Sequence, residues 1–212
     1  MTPEEFRQVP EIQSGEYKQI YNWIDKNLHY ISAGVTRAAY DLDIDDQQYV
    51  VKVLIVGEYS GRTSANRREI DNYECLGKEY AAEIVDYDKQ HFYWMIMEKV
   101  EVLEPEYFTR AIQQTLFGDS SILAVPQEFD QFIMMNLLTN RPHTRYIHDN
   151  LYKVNDWYRG LYDRVKRCKI QASDLGSDNW GFRQGSDIPI LIDYSYNIKS
   201  EQRLVRFTSF CF

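Results

Sequence analysis

The chain has 212 residues, with 24 Lys and Arg against 32 Asp and Glu and a formal net charge of −8 at pH 7. That length suits one substantial domain or two small lobes, and the acidic balance argues against generic nucleic-acid binding, which needs a basic face. No apolar run is long enough to span a bilayer and no basic-apolar leader opens the sequence, so a soluble, unexported protein with no membrane contact is expected.

Cys75, Cys168 and Cys211 form an odd set with no Cys-x-x-Cys spacing. They suggest neither a zinc ribbon nor a disulfide framework, and a reducing cytoplasm fits.

In chain order, Met1 to Gln13 shows too little periodicity to assign. Ser14 is a reasonable N-cap, although Tyr17 stands where a capping box needs Glu or Gln. Ile20, Trp23, Ile24 and Leu28 then predict a helix over about 15–27 with one apolar face. From Tyr30 to Leu42, apolar alternation around the small residues Ala33 and Gly34 reads as a hairpin.

The next strand, 48–56, is apolar and β-branched except for Lys52. An amine in such a run is costly if it is buried unpaired; the other reading is a lysine protecting a sheet edge. After a Gly57–Gly61 loop, residues 63–76 read as a helix with Ile70, Tyr73 and Leu76 on its apolar side and Glu69 adjacent to that face. Strands over 82–87 and 92–98 flank a turn at 88–90. The 104–117 and 126–138 segments read as helices opened by Pro105 and Pro126, and 148–169 reads as one amphipathic helix with Leu151, Val154, Trp157, Leu161 and Val165 on its stripe.

That last helix delivers the chain to Ser173-Asp174-Leu175-Gly176-Ser177-Asp178-Asn179. Phe182-Arg183 and 188–192 then form a predicted hairpin that returns Asp193 beside Asn179. Phosphoryl transfer needs one carboxylate to orient the attacking hydroxyl and oxygen ligands to hold Mg²⁺ against phosphates. Asp174 suits the first role; Asn179 and Asp193 suit the second. An Asx-rich surface turn also fits the loop taken alone.

At these residues the chain resembles the protein-kinase-like superfamily, whose catalytic loop reads Asp-x-x-x-x-Asn. Ile190-Leu191-Ile192-Asp193-Tyr194-Ser195 resembles the Ile-Asp-aromatic form of aminoglycoside-phosphotransferase-type and choline kinases and compact bacteriophage kinases. Val50-Val51-Lys52-Val53 resembles the kinase strand whose Lys binds phosphates and pairs with a helix Glu, here Glu69. Met95 to Val100 resembles the strand-to-hinge passage.

The resemblance implies an α+β, reduced two-lobed protein-kinase-like fold. An antiparallel-sheet N-lobe with a leading helix would cover 1–100, and an abbreviated helical C-lobe 101–212. It implies an ATP- and Mg²⁺-dependent phosphotransferase, a small kinase acting on a protein hydroxyl. Asp174, Lys52 and Glu69 would be catalytic; Gly34, Lys52, Met97, Glu98 and Val100 would bind nucleotide; Asn179 and Asp193 would hold the metal. In the kinase-like reading Gly34 sits in a phosphate-covering loop, while a plain hairpin turn fits equally. By analogy with bacteriophage kinases, the partner would be a host protein in the host cytoplasm.

Three departures motivate an alternative, a catalytically inactive kinase-like binding protein that inhibits or sequesters a partner. Ala172-Ser173 replaces the family's His-Arg, Gly34 is what remains of a three-glycine loop, and the tail after Asp193 is short. An acidic mimic of nucleic acid is a third reading, with Asp43, Asp45 and Asp46 its one dense carboxylate group.

Overall fold

A computed structural model describes residues 1–34, 36–44, 47–55, 64–102, 105–118 and 133–193. The Gly57–Gly61 loop, the helix start at Pro126, Asp45, Asp46 and the chain from Tyr194 lie outside them. Two compact units emerge, one of Met1–Tyr73 with Ala82–Lys99 and one of Glu74–Ala81 with Val100–Phe212.

The first unit is built on one antiparallel sheet in the order β1-β2-β3-β5-β4: β1 His29–Ala33, β2 Arg37–Ile44, β3 Gln47–Leu54, β4 Ile84–Tyr87 and β5 Trp94–Glu98. Strand alternation sorts its side chains. Ala38, Tyr40 and Leu42 of β2, Val51 and Val53 of β3, and Trp94 and Ile96 of β5 share one face and form the core with Phe6, Ile20 and Ile24. Pairing of Ala39 with Lys52, Lys52 with Met95, and Val50 with Met97 puts these residues on the other face.

Three helices, α1 (Pro3–Gln8), α2 (Pro10–Gln13) and α3 (Tyr17–Asn27), precede the sheet. Helix α1 starts with a capping box, Glu5 N–H donating to Thr2 Oγ1 at 3.0 Å and Thr2 N–H to Glu5 Oε2 at 2.7 Å. Ser14 does not cap α3. Its hydroxyl donates to Glu11 O at 2.7 Å and accepts from Glu16 N–H at 3.1 Å. Gly15, at φ +69°, then turns the chain into a helix whose N-cap is Glu16. Tyr17 works as an anchor, its hydroxyl donating to Leu54 O at 2.9 Å and also lying against Ile55 O. Burial, followed by the neighbouring Tyr21, pushes its phenol up to about 12.

Helix α4 (Ala65–Leu76) follows β3 and contributes its last residues to the second unit. Ser64 Oγ accepts from Arg67 N–H at 3.0 Å at its start.

The second unit holds α5 (Pro105–Phe117), α6 (Ile133–Leu138), α7 (Arg145–Val154) and α8 (Asp156–Cys168), then the short hairpin β6 (Trp180–Phe182) and β7 (Pro189–Leu191). The predicted single helix over 148–169 is two helices. Asn155, at φ −112° and ψ 103°, leaves helical space, and its Oδ1 accepts from Tyr158 N–H at 2.9 Å. An Asn can replace the lost backbone bonds with its own side chain, so the apolar stripe runs across a break.

A disulfide joins Cys75 to Cys168, contrary to the sequence expectation. The two are 93 residues apart, and only the fold brings them together, so spacing gave no sign of it. Among the described residues no helix is long and apolar enough to cross a membrane.

His148 on α7 is buried against α8. Tyr158 O–H donates to Leu137 O at 3.1 Å, so the contact of 2.7 Å between His148 Nδ1 and that hydroxyl carries the proton on Nδ1. Burial first holds this imidazole below its ordinary 6.5, with Lys166 and Arg145 adding to the depression and Asp149 opposing it. Below 6.5 the unfolded chain therefore binds a proton that the folded one refuses, and stability falls as pH falls. His148→Asn should flatten this part of the dependence of Tm on pH between 7 and 5; an unchanged slope would remove His148 as its source.

Candidate functional site

Glu69 projects from α4 and is 0% exposed, a position untenable for a carboxylate without cationic partners. It has two. Lys52 Nζ lies 2.8 Å from Oε1, and Arg37 Nη1 pairs with Oε2. Both cations come from the sheet: Ala39 is the cross-strand partner of Lys52, and Arg37 is two residues before it on the same face. Lys52 is thus an interior-strand lysine, since β3 is paired on both sides.

The sequence reading missed Arg37. A basic residue among Ala and Val at a strand start is the same kind of signal as Lys52 in its apolar strand. Gly34 itself closes the hairpin, its N–H donating to Arg37 O at 2.8 Å. That N–H serves the turn; Gly34 has no positive φ, and among the described residues other than its chain neighbours no atom lies closer than 4.0 Å to where a Cβ would stand.

On β5, Met97 is buried on the Lys52 face. Glu98 pairs with the chain beside it, its N–H donating to Glu83 O at 2.9 Å and its Oε1 accepting from Glu83 N–H at 2.7 Å. Asp41, also on this face, pairs with Lys99.

The other predicted residues belong to the second unit. Asp174 lies in a 3₁₀ turn, Ala172–Leu175, and is 6% exposed. Its N–H donates to Gln171 O at 3.2 Å, and Ser173 Oγ lies 3.3 Å from Oδ1. Asn179 ends a second 3₁₀ turn, Ser177–Asn179, its Nδ2 reaching Ser173 O at 3.5 Å. Buried Trp180 braces the loop through Nε1–H to Leu175 O at 3.2 Å.

The β6–β7 hairpin pairs Trp180 with Leu191 and Phe182 with Pro189. Ile192 N–H then donates to Asn179 O at 2.9 Å, which sets Asp193 next to the Asn179 main chain. Val100 packs on this hairpin: a Cβ on Gly181 would stand 2.6 Å from Val100 Cγ2 and 2.8 Å from Glu101 O. Glycine is required there by close approach of two backbones.

The loop offers carboxylate and amide oxygens, the donor chemistry of Mg²⁺. Among the described residues no three His, Cys, Asp or Glu side chains form a metal cluster, and Mg²⁺ typically takes one or two protein carboxylates with phosphate and water completing its shell. The residues fit the ion.

No protein-family model and no curated protein matches the chain. Among solved structures it is similar to choline kinase LicA from Streptococcus pneumoniae, at 18% identity and a TM-score of 0.38, over 91% of this chain and 78% of that one. It is also similar to a thermostable mutant of aminoglycoside phosphotransferase APH(4)-Ia in a ternary complex with ADP and hygromycin B, at 13% identity and a TM-score of 0.39, over 89% and 81%.

Proposed function

We propose that the protein is an ATP- and Mg²⁺-dependent phosphotransferase, a small kinase whose acceptor is a protein hydroxyl. The observation that carries this reading is the Lys52–Glu69 pair, a β3 ammonium held at 2.8 Å by a fully buried helix carboxylate. A lysine fixed in this way can orient nucleotide phosphates through charge and direction together.

Asp174 is the group that orients the acceptor hydroxyl and takes its proton on a carboxylate oxygen. Asn179 and Asp193 are the residues that would hold Mg²⁺, which when bound supplies neutralisation of phosphate charge. The main chain at Glu98 and Val100, with Met97 behind, is assigned to the purine. Gly34 retains the place of a phosphate loop in the chain, but its N–H serves the hairpin. A host-protein acceptor extends the reading through the resemblance to bacteriophage kinases.

The test is incubation of the purified protein with γ-labelled ATP and Mg²⁺, with and without cell extract, alongside Lys52→Met. Label on the protein or on an extract component, lost in Lys52→Met, is expected. No label with wild type, together with capture of one extract protein by both forms alike, would replace the enzyme with the kinase-like binding protein.

A further inference from the structure

The buried carboxylate of Glu69 is divided between two cations, yet a phosphate-orienting lysine needs one carboxylate partner. The additional cation, Arg37, is itself 7% exposed and sits at the first residue of β2, directly after the Gly34 turn that its own carbonyl closes. We propose that Arg37 is a positioning residue for Lys52: it grips Glu69 Oε2 and so turns Oε1 toward the Lys52 ammonium. This rests on the kinase reading for its consequence in catalysis, but its geometry does not depend on turnover.

Three features support it. Arg37 and Glu69 Oε2 form a charge-assisted contact in a site almost without solvent, where such contacts hold direction well. The guanidinium keeps its charge under all ordinary conditions, so through Nη1 it holds Oε2 with a cation that does not titrate away. The two cations also come from adjacent strands in fixed register, Arg37 opposite Leu54 and Ala39 opposite Lys52. The sheet therefore sets the spacing of the cations, and Glu69 is the part that must be oriented. A direct consequence is that the β1–β2 hairpin and the Lys52–Glu69 pair are linked through one side chain.

The experiment compares full-length Arg37→Gln, Arg37→Lys, Glu69→Gln and the Arg37→Gln/Glu69→Gln double variant with wild type. It reads the acylation rate at Lys52 by peptide mapping, normalised to exposed lysines, and kcat and KM for labelled ATP. If Arg37 positions Glu69, Arg37→Gln raises Lys52 acylation to the level of Glu69→Gln, and the double variant goes no further. The same change lowers kcat by roughly 10- to 100-fold, the worth of one charge-assisted hydrogen bond, with little change in KM, and Arg37→Lys recovers part of the loss.

Wild-type acylation and kcat in Arg37→Gln would reduce Arg37 to a structural ion pair, and so would effects that simply add in the double variant. Should Arg37→Gln fail to fold, Arg37→Lys carries the test, with acylation between wild type and Glu69→Gln expected and wild-type acylation overturning the proposal. If wild type transfers no phosphate at all, the kinase reading fails, while the acylation rates still decide whether Arg37 governs Lys52.

Discussion

Asp174→Asn should lower the phosphotransfer rate by about 10²- to 10⁴-fold, the usual contribution of a positioned acid or base, and Asp193→Ala should abolish transfer, both without loss of folded protein. The two substitutions act on different requirements. At Asp174 the isosteric amide keeps the packing of a residue that is 6% exposed and the turn made by its N–H to Gln171 O, but it cannot take a proton. At Asp193 the lost carboxylate leaves Asn179 as the sole assigned side-chain ligand for Mg²⁺, while the hairpin bond from Ile192 N–H to Asn179 O remains. Single-turnover rates with γ-labelled ATP, read beside circular dichroism, separate chemistry from folding. Transfer at the wild-type rate by Asp193→Ala would remove the mechanism.

Loss of the Cys75–Cys168 disulfide should cost about 2–4 kcal/mol, or roughly 4–16 °C in Tm for a chain of this size. The bond closes a separation of 93 residues, which makes its restraint on the unfolded chain large. It is not the only tie at that point. Arg164 Nη1–H and Arg167 Nη2–H both donate to Cys75 O, at 2.9 and 3.2 Å, and meet the negative end of α4 with positive charge. A Cys75→Ser/Cys168→Ser variant should therefore fold to the same secondary structure and melt lower. Equal midpoints for wild type with and without reductant would show that the bond contributes nothing.

Much of the sheet unit was legible because its pattern is local. The alternation that places Val51 and Val53 on one face and Lys52 on the other is a period of two, readable in any window. Lys52 stood out by cost, and Glu69 followed from the resemblance. Arg37 carries the same mark, a cation in a small apolar stretch, but its carboxylate is 32 residues away and no local pattern links the two. The helical unit was read less well for the same reason. Asn155 interrupts an unbroken apolar stripe, and periodicity does not register a side chain that substitutes for backbone bonds. Cys75 and Cys168 meet through tertiary structure alone. At the N-terminus the failure was different: Thr2 and Glu5 form a visible capping box, hidden by the absence of a long periodic run behind it.

Asn155 has one more consequence, for chemical ageing of the molecule. Its Oδ1 starts α8, while its Nδ2–H reaches back to Leu116 O at 3.3 Å, in the last turn of α5. Conversion of this amide to a carboxylate by deamidation would preserve the start of α8, because Asp caps as well as Asn. At α5 it would set a negative charge against carbonyl oxygens at the negative end of a helix. One lost nitrogen would thus leave a helix start intact and loosen a helix end, so that damage at a single residue is felt in an element some forty positions earlier in the chain.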